Sequence, residues 1–84
     1  MKNLKAGPCM SEISEKVLAL TVQVLGPASR RFLERQTRFH LDGLEFDDLE
    51  KEHIPELSKW VGISARLIVD DKQAAMLAEM IKKV

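Results

Sequence analysis

Cysteine is nearly absent: the chain of 84 residues has one, Cys9. A single thiol excludes an internal disulfide framework and a cysteine-rich zinc site. Net charge is also absent, with 13 Lys+Arg against 13 Asp+Glu. That balance excludes a strong bulk attraction to nucleic acid or anionic membrane. Long apolar runs are missing too. The longest, Val17 to Leu25, is interrupted by Thr21 and Gln23 and is about half of the ~20 residues that a spanning helix needs. No apolar segment follows the basic start Met1-Lys2-Asn3-Leu4-Lys5, so no secretory leader is expected and the expected location is the cytoplasm. The chain has no Gly-x-Ser-x-Gly, no phosphate loop and no Cys/His pair to activate a nucleophile. No catalytic residue, cofactor or metal site is expected.

What is present is ordinary globular composition, 45% apolar and 31% charged, enough for one domain. Residues 1–10 carry Gly7 and Pro8 without apolar periodicity and read as a flexible tail, with Cys9 a reduced, exposed thiol. Met10 is an alternative translation start. Residues 11–84 read as a single helical domain. Ser11 suits a helix N-cap, with Glu12 and Glu15 favourable to the dipole. Ile13, Val17, Leu20 and Val24 keep helical spacing, with Leu18, Val22 and Leu25 as a second apolar row. The alternation Leu18, Leu20, Val22, Val24 also fits a strand, but the run's length and the lack of strand partners favour helix.

Gly26-Pro27 breaks that element, and Pro27 suits the first position of a second helix with Ala28, Phe32 and Phe39 inside. Gly43 is a stop signal. Asp47 and Glu50 have capping-box spacing for a short third helix ending before Pro55. Pro55 can open a fourth, with Ile54, Leu57, Val61, Ala65 and Ile68 on one stripe, Trp60 beside it, and Gly62 as a bend or an end. Asp70 and Gln73 cap a last helix bearing Ala74, Leu77, Ile81 and Val84. The expected fold is all-α, a compact bundle of four to five short helices.

The segment Leu25-Gly26-Pro27-Ala28-Ser29-Arg30-Arg31-Phe32-Leu33-Glu34-Arg35 resembles a small helical module found at the C-termini of bacterial serine/threonine kinases and beside other signalling domains. Gly26, Pro27, Phe32, Leu33 and Arg35 match its pattern, Ser29 stands where alanine is usual, and Leu49 to Ile54 agree loosely. The resemblance spans about half of the chain. It implies an all-helical accessory domain without chemistry of its own, although these 84 residues include no kinase. The function expected is a noncatalytic protein-interaction module in prokaryotic signalling.

The alternative is a nucleic-acid-binding regulator. Residues 57–72 have the cadence of a helix-turn-helix, with Ser58 four before Gly62, then Ile63 and Ile68. The second helix, Ser64 to Lys72, would present Leu67, Val69, Asp70 and Asp71, and the two aspartates would repel phosphate, which argues against nucleic acid as a partner. Arg30, Arg31, Arg35 and Arg38 form the strongest charge feature, with Arg31, Arg35 and Arg38 on one helical face. Asp42 to Glu56 carries a net −6. The simplest expectation is mutual neutralisation, within one chain or between two.

Glu50 and His53 form one Glu-x-x-His, where di-metal bundles need two copies. Met76 and Met80 suit either core filling or a binding surface. Two apolar rows on the first helix suggest a homodimer, with Val17, Leu18, Val22 and Leu25 in contact and Arg31, Arg35 and Arg38 at the rim. The identity of any protein partner is not legible.

Overall fold

The computed structural model describes residues 10–84. Residues 1–9, most of the expected tail and its Cys9, lie outside the described residues. Met10 belongs to the domain: it is part-buried, packs on the core and accepts a hydrogen bond at its Sδ from Arg30 at 3.3 Å. Among the described residues there are four α-helices, three short 3₁₀ turns and no strand, so the all-α expectation holds.

Helix α1 runs Glu12–Leu25. The alternating run Leu18 to Val24 is therefore helical. Ser11 starts the helix by accepting from the Ser14 N–H at 3.1 Å, while its own hydroxyl donates to the Leu49 carbonyl at 2.6 Å. One cap thus closes a helix end and ties it to a loop 38 residues away. Val17 and Thr21 face the core. The Thr21 hydroxyl is satisfied by donating to the Val17 carbonyl at 2.7 Å, so its burial leaves no unpaired polar group.

Gly26 ends α1 at φ +67°, ψ −142°. Pro27 does not open the next helix itself. It sits in a 3₁₀ turn, Gly26–Ala28, and helix α2 follows as Ser29–His40. The Ser29 hydroxyl donates to the Gly26 carbonyl at 2.6 Å and locks that corner. The buried face of α2 is Ser29, Phe32, Leu33, Gln36 and Thr37. Phe39, expected inside, is 69% exposed.

A turn with positive φ at Asp42 (+55°) and Gly43 (+75°) leads into the acidic stretch. Here the expected third helix is absent. Two 3₁₀ turns, Phe46–Asp48 and Lys51–His53, are separated by extended backbone at Leu49 and Glu50. Phe46 and Leu49 both reach the core from here, as residues three apart around the first of these 3₁₀ turns. Asp47 is spent on Arg30 rather than on a cap, and Glu50 pairs with His53 instead, its N–H donating to His53 Nδ1 at 3.0 Å.

Helix α3 spans Ile54–Ala65, with Pro55 in its first turn, and α4 spans Asp71–Lys82. Asp70 caps α4 by accepting from the Gln73 N–H at 2.8 Å. Contrary to the helix-turn-helix cadence, Gly62 does not end α3, which runs on to Ala65. The run Ser64 to Lys72, expected as a recognition helix, is instead the end of α3, a turn and the first residues of α4. Gly62 is a contact point: a Cβ built there would lie 3.2 Å from the Cβ of Ala78, in the most extensive helix pair of the fold. A bulky side chain would force two helix backbones apart. Gly62→Leu is expected to destabilise by about 2 kcal/mol through overpacking. Gly62→Ala should stay within about 1 kcal/mol of neutral, because gained helix propensity offsets a shift of a few tenths of an ångström. Thermal unfolding of the two variants checks the difference.

Candidate docking groove

Two contacts and a gap mark how α2 and α3 lie against each other. The His40 ring stacks on Trp60, centroids 3.9 Å apart and planes within 4°. Midway, the Ser64 hydroxyl donates to Gln36 Oε1 at 3.0 Å. At the far end, Ala28 and Phe32 face Leu67 and Ile68 across a gap. Rising numbers on α2 meet falling numbers on α3, so the helices run antiparallel and diverge at the end of α3.

The gap is an open groove of about 410 Å³ lined by Ala28, Arg31, Phe32, Arg35, Gln36, Ser64, Leu67 and Ile68. One wall is α2, whose rows at spacing three and four place Arg31 and Arg35 along one edge and Phe32 and Gln36 on the floor. Phe39, seven residues beyond Phe32, continues that side toward the His40–Trp60 stack. The other wall is the turn after α3. Backbone hydrogen bonds from Leu67 to Ser64 (3.1 Å), Ile68 to Ala65 (2.9 Å) and Val69 to Ala65 (2.8 Å) hold it. Arg66 adds an exposed ion pair to Asp71 at 3.2 Å. Leu67 is 89% exposed and Ile68 58%, although the backbone N–H groups of Leu67, Ile68 and Val69 are all hydrogen-bonded. Ile68 was expected on the buried stripe of the fourth helix. That stripe stops with the helix at Ala65, and Val69 turns inward instead.

The charges do not neutralise as simply as the sequence suggests. Of Arg30, Arg31, Arg35 and Arg38, only Arg30 is paired among the described residues, with Glu34 at 2.9 Å and Asp47 at 2.7 Å, and its guanidinium lies 5.7 Å above the Phe46 ring centre. The hydrogen bond to Asp47 is the main cause that holds its pKa above the ordinary arginine value. Among the described residues, Arg31, Arg35 and Arg38 have no carboxylate within 4.0 Å and all three are exposed.

Of the apolar residues expected to form an interaction surface with those arginines, Val17 is fully enclosed and belongs to the core, because the wide face of α1 is covered by α2 and α4. Leu18 and Leu25 are part-buried against the same core, and Val22 is 47% exposed. The structure thus brings Arg31 and Arg35 to a groove that none of these four lines. Sequence reasoning did not assign Phe32, Leu67 and Ile68 to the interaction surface. For Leu67 and Ile68 the signal was weak: they open the apolar run Leu67-Ile68-Val69 just ahead of the Asp70 cap.

No three His, Cys, Asp or Glu side chains among the described residues gather as a metal-binding group. No helix among them is long and apolar enough to cross a membrane. Compared with protein families, curated proteins and solved structures, the chain matches none of them.

Proposed function

We propose that this protein is a noncatalytic protein-interaction module whose binding face is the α2–α3 groove. The observation that carries the reading is the exposure of Leu67 and Ile68 on a hydrogen-bonded turn beside Phe32, in a groove edged by Arg31 and Arg35, which have no carboxylate partner among the described residues. Exposed apolar side chains on a hydrogen-bonded turn are costly to maintain in water unless something covers them, and clustered patches of this kind mark interaction sites. A setting in prokaryotic signalling rests on the Leu25-Gly26-Pro27 resemblance alone.

A photo-crosslinking amino acid placed at position 67, and separately at exposed Gln73 on α4, tests the reading in living cells. Covalent adducts with protein are expected at 67 and not at 73. Random duplex DNA at low salt should keep its electrophoretic mobility. A clear mobility shift, or nucleic-acid adducts at 67, would transfer the groove to the nucleic-acid alternative. Equal or absent adducts at both positions would remove the reading.

A further inference from the structure

From the same groove, and resting on the interaction-module reading, we infer that the partner is a short acidic amphipathic segment of another protein, with large apolar side chains beside carboxylates. The apolar part is set by Phe32, Leu67 and Ile68, which line the groove and leave room for inserted side chains. The acidic part is set by Arg31 and Arg35. They are one helical turn apart on the same edge, exposed, and without a carboxylate among the described residues. A guanidinium pair at that spacing suits two carboxylates on one face of a docked segment. Gln36, 7% exposed on the floor, makes its one side-chain hydrogen bond among the described residues through Oε1, so its amide nitrogen remains a donor for the segment's backbone.

Two other occupants fit worse. The chain's own first nine residues carry Lys2 and Lys5 and no acid, the wrong sign for the arginine edge. A second copy offers the acidic stretch Asp42 to Glu56, but of its large apolar residues Phe46, Leu49 and Ile54 are enclosed in their own core at 2%, 0% and 4% exposure, and Leu44 is part-buried against it. That stretch supplies charge with too little to fill the groove.

Fluorescence anisotropy with the full chain decides it. The probe is a fluorescein-labelled peptide about four helical turns long, leucines at helical spacing and glutamates between them. A companion peptide has lysine for every glutamate. The acidic peptide is expected to saturate, and the lysine peptide to show no saturable binding. Arg31→Glu with Arg35→Glu should weaken binding about tenfold or more. Lys72→Glu with Lys82→Glu, the same change in net charge on α4, should leave it within about twofold. Leu67→Asp should also weaken binding strongly, and helical circular dichroism checks that each variant is folded.

Equal loss in both double variants would show a bulk charge effect and overturn the inference. So would saturation by the lysine peptide, or no saturation by the acidic one. If the acidic peptide fails while position 67 still crosslinks to protein in cells, the acidic class falls and the interaction reading stands. If crosslinking fails too, both fall. A mass from sedimentation equilibrium that doubles with concentration, and reverts in the Leu67→Asp variant, would assign the groove to a second copy instead.

Discussion

Phe46→Ala is expected to cost about 3–5 kcal/mol, the range for deleting a buried aromatic ring. A domain of this length has on the order of 5–10 kcal/mol in total, so the variant should be poorly folded at ambient temperature. The melting temperature should fall by about 15–30 °C. The size of the effect comes from position as much as from area. Phe46 is 2% exposed and is the largest fully buried side chain, yet it sits in a 3₁₀ turn of three residues rather than in a helix. The acidic stretch has little regular hydrogen bonding of its own, so Phe46 and Leu49 supply its apolar attachment to the bundle, beside the polar ties from Ser11 and Arg30.

The attachment also organises polar groups above the ring. Arg30 lies over Phe46, pairs with Asp47 and Glu34, and touches Met10. Without the ring, the carbonyls of Asp47 and Leu49 lose the fixed position in which they accept from the Ser11 N–H and hydroxyl. Asp47→Ala separates the two contributions. Its ion pair with Arg30 is between part-exposed side chains and should contribute no more than about 1 kcal/mol. Urea unfolding of the two variants measures the ratio. A loss for Phe46→Ala no larger than for Asp47→Ala would show that the acidic stretch stands outside the cooperative core.

What was legible in the sequence was local. Ser11 and Asp70 are caps because a side-chain oxygen reaches an N–H three residues on, and that chemistry depends only on neighbours. The same holds for the helical spacing of α1 and for the Gly26 corner. The errors arose where a distant partner decides. Asp47 has capping-box spacing to Glu50, but Arg30, 17 residues earlier, claims its carboxylate. Gly62 has the position of a turn glycine, but Ala78 of α4 makes it a packing contact. The apolar stripe of α3 runs on to Ile68 by period alone, while the backbone leaves the helix at Ala65. The groove lies where α2 meets the turn after α3, more than 30 residues apart in the chain, and no periodicity within either segment shows that the two are adjacent.

Gly26→Val should destabilise by about 2–3 kcal/mol, and the cause should be the backbone alone. A Cβ at position 26 would meet nothing within 4 Å, so no clash with a neighbour contributes. The dihedrals decide: φ +67° with ψ −142° lies in a region that is essentially reserved for glycine, outside the left-handed helical basin that asparagine tolerates. Asparagine at 26 should therefore not rescue the loss. Reversing the sign of both angles gives about −67° and +142°, ordinary polyproline geometry for an L-residue and hence comfortable at Gly26 for a D-residue. Chemical synthesis with D-alanine at position 26 is expected to hold or raise the stability by up to about 1 kcal/mol, since it restricts the unfolded chain and its backbone angles suit the folded one. L-alanine at the same position should lose about 1–3 kcal/mol. Thermal unfolding of the matched pair reads the handedness of the corner directly. Equal melting temperatures for the two alanines would mean that α1 and α2 meet through a different backbone path. The Ser29 hydroxyl bond to the Gly26 carbonyl, which depends on that path, would then be lost from the account of how the arginine edge is oriented.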